Sequence, residues 1–372
     1  MSFSKRMSRI KPSGIRAVQK RIAGKSDMIS FAAGLPDPAL YPLEDLRKAA
    51  DTMLEKEGAT AFAYGLTKGY GPLLDCLTDR MNNREHVECT KENICILSGS
   101  QQGLGLAAMT FLDEGDVVIT ENPSYLGAIN AFRPYGAEFV GVDTDDDGIV
   151  IEDLERALEE NPKTKLIYVI PNFQNPTGKA WTLERRERFM EVVAKYDVAV
   201  VEDNPYGDLR FKGEPLPHLR ALDKKGQVIY LGSFSKILSP GMRVAWTCAS
   251  KEVATAFESL KETNDLQSPE LTQMLTYYYL KMFDLEKHIE EIQVVYKERC
   301  ELMVEMIQKY FPVEIKYTDP EGGMFLWLEL PEGLDSDAIL DDALAAGIAY
   351  IPGESFFSFD GVKNTIRMNF TM

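Results

Sequence analysis

The stretch LGSFSKILSPGMRVAW, residues 231–246, sets Lys236 beside Ser233 and Ser235, with Arg243 seven positions on. A lysine is most often a solvated tip, but this one follows an apolar run, QVIYLG, that reads as a buried strand. Its amine is able to form a Schiff base with an aldehyde. The serines and the arginine are donors suited to an anion, the guanidinium in bidentate form. Similar groups follow other apolar runs. Ser98, Gly99, Ser100 and Gln101 come after ICIL and lead into a helical pattern. A helix N-terminus offers N–H groups and a positive dipole end to a phosphate. Asn122 and Tyr125 follow VVIT, Asn172, Asn175 and Thr177 follow LIYVI, and Asp203 and Tyr206 follow VAVVE. Singly, each has a plain structural use: Ser100 caps a helix, NPTG makes a turn, Tyr125 is a core ring. Together they describe one ligand. Ser100, Gln101, Ser233, Ser235 and Arg243 suit a phosphate, and Lys236 an aldehyde. Asp203 suits a protonated pyridine nitrogen, Asn175 and Tyr206 a phenolate oxygen, and Tyr125 a ring face to stack on. These are the parts of pyridoxal 5'-phosphate, bound by a lysine Schiff base with an aspartate on the ring nitrogen.

Such residues must be brought to one rim. Val/Ile-rich runs alternate with helical patterns from NICILSGS to QVIYLGSFS. Runs without polar alternation imply strands covered on both faces, and strand–helix alternation implies a mostly parallel sheet with helices on either side. Ligands of such sheets bind outside the carboxyl ends of the strands, where these residues fall. MRVAWTCA is a further strand, separated from the one before only by residues 233–242. That is too short for a parallel crossover, so it is expected to run antiparallel.

After about residue 250 the pattern changes. SPELTQMLTYYYLKMF predicts a helix with Ser268 as N-cap and Pro269 at the first position. The next helix carries a stripe at Ile289, Ile292, Tyr296, Met303 and Met306. VEIKYTDPEGGMFLWLEL reads as a hairpin turning at Gly322 and Gly323, and GIAYIPG and TIRMNF as short strands. PSGIRAVQKRIAG is expected as a short helix against this part. The 372 residues exceed the length at which one core stops growing. The expected division is a large cofactor-binding α/β domain over 46–265 and a smaller α+β domain built from 1–45 and 266–372, joined by a long helix.

Composition excludes several classes. With 58 acids against 41 bases the net charge is -17, which repels nucleic acid and anionic lipid. Five cysteines without a CxxC pair fit a reducing cytosol. The basic N-terminus lacks the apolar segment of a secretory signal, and no apolar run approaches the ~20 residues of a membrane helix. The expected location is cytoplasmic. Three histidines, none paired at ligand spacing, give no zinc site. DTDDDG starts like a calcium loop, but position 12 falls on Leu154, so it reads as a turn between a strand and the helix IEDLERALEE. There is no GxxxxGK[ST], no GxGxxG and no GxSxG.

The sequence resembles the class I/II aminotransferases of pyridoxal-phosphate fold type I, most of all the branch with 2-aminoadipate, kynurenine and aromatic aminotransferases. The resemblance runs over nearly the whole chain: PSGIR, FAAGLPDPALYP, YGLTKGYGPL, LSGSQQGL, ENPSY, NFQNPTG, EDNPYGDL, GSFSKILSPGMRVAW, PEGGMFLWLEL, YIPGESFF and TIRMNF. It implies a seven-stranded, mostly parallel sheet with one antiparallel strand, plus the smaller domain. It implies that Lys236 forms the internal aldimine and shuttles a proton, that Asp203 pairs with the ring nitrogen, that Tyr206 and Asn175 hold the ring oxygen, and that Tyr125 stacks. Ser100, Gln101, Ser233, Ser235 and Arg243 would cradle the phosphate. Arg367, assisted by Asn175, would clamp the substrate carboxylate, and Gly34 would let the chain approach the substrate. Tyr64 would reach the partner's phosphate in a homodimer with shared sites. Two departures, Ala245 in place of a frequent glycine and the lack of an arginine after Leu73 and Leu74, leave this chemistry untouched.

The implied activity is ping-pong transfer of an amino group from an amino acid to a 2-oxo acid such as 2-oxoglutarate. A lyase or decarboxylase on the same fold would turn over without a keto acid. A non-catalytic sensor domain would need a DNA-binding module, and no helix-turn-helix segment is seen ahead of the fold.

Overall fold

The computed structural model describes residues 2–10, 14–24, 28–358 and 361–372. The start of the PSGIR motif lies outside them. In chain order the strands are β1 (Ile29–Ser30), β2 (Ile94–Leu97), β3 (Val117–Asn122), β4 (Glu138–Asp145), β5 (Gly148–Ile149), β6 (Thr164–Val169), β7 (Ala199–Asn204), β8 (Val228–Ser233), β9 (Ala245–Cys248), β10 (Lys316–Tyr317), β11 (Phe325–Glu329), β12 (Ile348–Ala349), β13 (Ile351–Pro352) and β14 (Thr365–Asn369).

The large sheet has the order β2-β9-β8-β7-β6-β3-β4-β5. The ladders from β8 through β7, β6 and β3 to β4 are parallel. β9 runs antiparallel to both β2 and β8, as the short link before it dictates. Seven of these strands are the expected sheet. The eighth, β5, is a two-residue addition antiparallel to β4. It comes from DTDDDG, which turns the chain back on β4 before the helix Ile151–Glu160 begins, so the turn lies inside a small hairpin.

Side chains alternate along a strand, so the two faces of the sheet feed two cores. Leu166, Tyr168, Ile170 and Val201 lie in one, and Ile167, Val169 and Val200 in the other. This alternation separates the adjacent acids Glu202 and Asp203. Glu202 shares a face with Val200, where it accepts the N–H groups of Leu219 at 2.9 Å and Arg220 at 2.8 Å and lies 3.4 Å from His218 Nδ1. Asp203 shares the face of Val201 and Tyr168. Glu202 is thereby committed to the start of the helix Leu219–Leu222, and Asp203 is left for the rim.

The second sheet, β10-β11-β14-β13, is antiparallel throughout. Arg367 on β14 stands opposite Trp327 and Ile351. β1 pairs parallel with β12, and the helix Gly14–Ile22 sets Val18 into a core with Leu326, Trp327 and Ile351. The β10–β11 hairpin forms, but its turn is broad, with Gly322 bridged to Arg210. The helix Glu270–Met282 starts later than SPEL suggests. Ser268 Oγ is engaged elsewhere, at 2.9 Å from Lys261 Nζ and 3.1 Å from Ser98 Oγ, and Pro269 takes the cap position. The long helix Leu285–Tyr310 buries Ile289, Ile292 and Tyr296, with Met303 and Met306 half-buried.

The loop after β6 is clamped against the small sheet. Gly178 has φ +72, and a Cβ there would lie 2.3 Å from the Phe325 carbonyl oxygen. A left-handed backbone costs an L-residue about 1–2 kcal/mol, and overpacking adds about 1–3 kcal/mol. Gly178→Ala should therefore lose about 2–5 kcal/mol of unfolding free energy. Gly333→Ala, at φ +88 with nothing within 4 Å, should lose only the smaller backbone part. Urea midpoints of the two variants read the difference, and equal losses would show that the loop simply yields.

Candidate active site

The turn from β8 to β9 carries the lysine. A backbone bond from Phe234 N–H to Val244 O, 3.1 Å, closes this turn and brings Ser233 and Ser235 alongside Arg243. The two serine hydroxyls lie 2.9 Å apart, and Ser233 Oγ also accepts the Ser235 N–H at 3.0 Å. Arg243 has φ +54, a conformation that aims its exposed side chain back at β2. There it donates to Ser98 O at 3.1 Å. Gly99 makes that approach possible, since a Cβ on it would lie 2.0 Å from Arg243 Nη2. The helix Ser100–Phe111 begins at the same spot, and Ser100 Oγ is buried with no hydrogen-bond partner. Gln101 donates to Gly127 O at 3.1 Å, which ties this helix start to the one that follows Tyr125.

Lys236 donates from Nζ to Gly34 O at 2.8 Å. Burial, reinforced by the guanidinium groups of Arg367 and Arg243, pushes its amine down to about 8. Asp203 is 2 % exposed. Its Oδ2 accepts from the Tyr168 hydroxyl at 2.8 Å, while Oδ1 is buried without a partner. Burial lifts this carboxyl to about 7, and the Tyr168 bond works against the rise.

Asn175 joins the two sheets. It donates from Nδ2 to the Tyr206 oxygen at 3.2 Å and accepts at Oδ1 from Arg367 Nη1 at 3.0 Å. Tyr206 stands edge-on to Phe325, with centroids 5.6 Å apart, and burial holds its phenol well above the usual range. Arg367 also donates to Ala32 O at 2.9 Å. Its guanidinium carbon lies 4.3 Å from the Phe325 ring centre and 5.1 Å from that of Phe356. Burial lowers it to about 10, its Nε has no partner, and it forms no ion pair among the described residues. A Cβ on Gly34 would meet Phe325 at 3.2 Å and Arg367 Nη2 at 3.9 Å, so the glycine opens space beside the guanidinium.

Hydrogen bonds thus join Ser233 to Ser235, Arg243 to the chain just before Ser100, Lys236 to Gly34, and Asn175 to both Tyr206 and Arg367, while Asp203 is bonded to Tyr168. Tyr125 is half-buried at the head of the helix Leu126–Phe132. Tyr64 stands apart, 86 % exposed. Tyr168, the Ala32 carbonyl, Phe325 and Phe356 belong to the site but were not picked out from the sequence. The signal for Tyr168 was a phenol within an otherwise apolar strand, since a buried tyrosine hydroxyl finds a partner. The other three carried none.

The donors fit pyridoxal 5'-phosphate. Asp203 Oδ1 and Ser100 Oγ are orphaned buried atoms, one an acceptor for a ring N–H and the other a donor for a phosphate oxygen. Lys236 offers an amine whose basicity burial has lowered to about 8. The chain belongs to the class I and II aminotransferase family, whose model matches residues 26–372. It is 42 % identical to aromatic-amino-acid aminotransferase 1 of Thermococcus litoralis, covering 99 % of this chain and 89 % of that protein. It is 39 % identical to the 2-aminoadipate transaminase of Thermus thermophilus, over 99 % of this chain and 91 % of the other. The crystal structure of the Pyrococcus horikoshii kynurenine aminotransferase superposes with a TM-score of 0.95 at 41 % identity, covering 100 % of this chain and 92 % of that one. The protein is a pyridoxal-phosphate-dependent aminotransferase of fold type I.

An amine lowered from 10.5 to about 8 is neutral roughly 300-fold more often at pH 7 than an ordinary lysine. In cofactor-free protein, reaction of Lys236 with a small aldehyde, trapped by borohydride and mapped by mass spectrometry, should rise with pH and level off above about 8. Surface lysines should keep rising to about pH 10. A Lys236 profile parallel to theirs would refute the desolvated amine.

Proposed function

We propose that this aminotransferase moves the amino group of an L-amino acid with an aromatic, aminoadipate-like or otherwise broad range of side chains to a 2-oxo acid such as 2-oxoglutarate. The two half-reactions share one site in a ping-pong cycle. The observation that carries the reading is Arg367, a buried guanidinium with no ion-pair partner among the described residues, flanked by two phenyl rings. A planar fork of this kind matches a carboxylate with two parallel hydrogen bonds. Amino acids and 2-oxo acids share the α-carboxylate, so one receptor serves donor and acceptor. The relatives named above act on aromatic amino acids, 2-aminoadipate and kynurenine, which supports the donor range.

Pyridoxal 5'-phosphate, when bound, supplies the aldehyde that takes up the amino group and a ring that accepts electrons. Ser100, Gln101, Ser233, Ser235 and Arg243 hold its phosphate, Asp203 its ring nitrogen, Asn175 and Tyr206 its ring oxygen, and Tyr125 one ring face. Lys236 Nζ receives the proton from the substrate Cα and returns one to complete the transfer. Its depressed basicity keeps part of the amine free to accept that proton near neutrality. Arg367 and Asn175 orient the carboxylate so that the Cα–H faces the lysine.

The active unit is a homodimer with shared sites. Phe62, Tyr64 and Leu66 are 74, 86 and 72 % exposed, an apolar run that solvent disfavours and a second copy would cover. Tyr64 then reaches the partner's phosphate. Sedimentation at working concentration should give a dimer, and a fully active monomer would contradict this arrangement.

Steady-state kinetics with aromatic, acidic and aliphatic donors against 2-oxoglutarate and pyruvate test the carboxylate receptor. Removing one member of a desolvated charged pair costs about 2–5 kcal/mol, or roughly 30- to several-thousand-fold. Arg367→Lys should lower kcat/KM by that order for every donor, with cofactor absorbance intact. A loss confined to one donor would show that Arg367 reads a side chain instead.

A further inference from the structure

We propose that Tyr168 is a positioning residue for the cofactor ring: its hydroxyl holds one oxygen of Asp203 so that the other is presented, ionised, to the pyridine nitrogen. This rests on the reading of Asp203 as the ring-nitrogen partner.

The sheet register creates the pair. Tyr168 on β6 stands opposite Val201 on β7, and Asp203 is two residues further along β7, on the same face of the sheet. Diagonal neighbours of this kind are within reach of a long aromatic side chain. The hydroxyl lies 2.8 Å from Asp203 Oδ2. The phenol ring is itself fixed by an edge-on contact with Phe132, centroids 5.9 Å apart at 68°. Tyr168 and Asp203 are 0 and 2 % exposed, so water does not substitute for the bond.

An aspartate held by one bond at Oδ2 has a defined direction for Oδ1, and Oδ1 is the atom left without a partner. The same bond sets the charge. Burial lifts the Asp203 carboxyl to about 7, and Tyr168 is the side chain whose hydrogen bond opposes that rise. Without the hydroxyl, the carboxyl is protonated over a wider pH range. A neutral carboxyl is a weaker partner for a protonated ring nitrogen than a carboxylate. The charged and titratable groups facing the pair are Tyr125 and Tyr206, with Arg367 acting on Tyr206. None of them bonds to Asp203. Tyr168 therefore acts on the ring through Asp203 without touching the reacting atoms.

The test uses holoenzyme loaded with cofactor labelled with 15N at the ring nitrogen, whose resonance reports its protonation. Wild type should show the protonated position and Asp203→Asn the neutral one. Tyr168→Phe, which keeps the ring and removes only the hydroxyl, should move toward the neutral position, with cofactor affinity by equilibrium dialysis weakened roughly tenfold. Tyr168→Leu removes the hydroxyl in a different shape and serves if the phenylalanine variant does not fold. A tyrosine acting only as packing would leave the Tyr168→Phe resonance at the wild-type position while Asp203→Asn shifts, and that result overturns the proposal alone. An unmoved resonance in Asp203→Asn overturns the reading of Asp203 and the proposal with it.

Discussion

Arg367 sits in the middle of an antiparallel sheet, 1 % exposed, and no carboxylate among the described residues answers its charge. Lys236 and Asp203 share that condition: each has one hydrogen bond to a neutral group and no ion-pair partner among the described residues. Burial moves all three toward their neutral forms. The chain is able to pair buried charges elsewhere. Arg80 meets Asp208 at 2.8 Å, Glu286 at 2.9 Å and Glu85 at 3.3 Å, and its charge is strengthened accordingly. Arg186 and Glu121 are also buried without an ion pair among the described residues, but Arg186 donates to four oxygens and Glu121 accepts from the Ile170 N–H and the Trp181 indole, whereas Asp203 Oδ1 and Arg367 Nε are left without a partner. An unpaired buried charge costs several kcal/mol by order of magnitude, and that cost is tolerated where a ligand brings the opposite charge.

The rest of the fold supplies the rigidity this requires. A desolvated group with room to turn would reach for water or a neighbouring carbonyl. Here each is held by a short bond to a strand end or to backbone: Lys236 to Gly34, Asp203 to Tyr168, Arg367 to Ala32 and Asn175. Asn175 is the joint. Its amide oxygen faces a guanidinium that only donates, and its nitrogen faces the Tyr206 oxygen, so the partners fix the orientation of the amide. A single side chain thereby couples the large sheet to β14. Gly178, three residues on, lets the same loop lie against the Phe325 carbonyl.

Much of this was legible in the sequence because strand ends in a parallel sheet are a geometric address. The apolar runs located the strands, and of the residues after them Asn175 and Tyr206 form one hydrogen-bonded group with Arg367, while Asn172 and Thr177 are bonded elsewhere. The antiparallel course of β9 followed from the length of one loop. Other features had no local signal. Arg367 reads as an edge-strand arginine on spacing alone, because its surroundings, Phe325, Phe356, Asn175 and Ala32, come from four other parts of the chain. Ser268 has the type and place of an N-cap, but Lys261, on the preceding helix, and Ser98, far off in sequence, claim its hydroxyl. The β5 hairpin was hidden by an acidic turn whose two-residue strand is too short to show alternation. Glu202 and Asp203 are adjacent acids, and only the pleat of β7 reveals that one serves a helix and the other the rim.

The two arginines of the site show why burial was applied unevenly. Arg243 is exposed and bonded to backbone at Ser98. Its charge is already solvated, so an anion placed on it loses less water and gains less field. That would suit its proposed role on a phosphate shared among several donors, where no single contact has to be strong. Arg367 has been stripped of water and given two neutral oxygens and two ring faces. A carboxylate reaching it meets a guanidinium that needs no further desolvation or reorientation, and each of these would otherwise oppose binding. The cost falls on the empty protein instead, where it raises the energy of the free state. As the proposed carboxylate receptor, Arg367 would take any carboxylate of the right reach, with no internal counter-ion among the described residues to compete with it. Under the proposed ping-pong cycle, a group that would accept an amino acid, release an oxo acid and accept another is served better by that arrangement than by a ready-made salt bridge, which every incoming substrate would have to break.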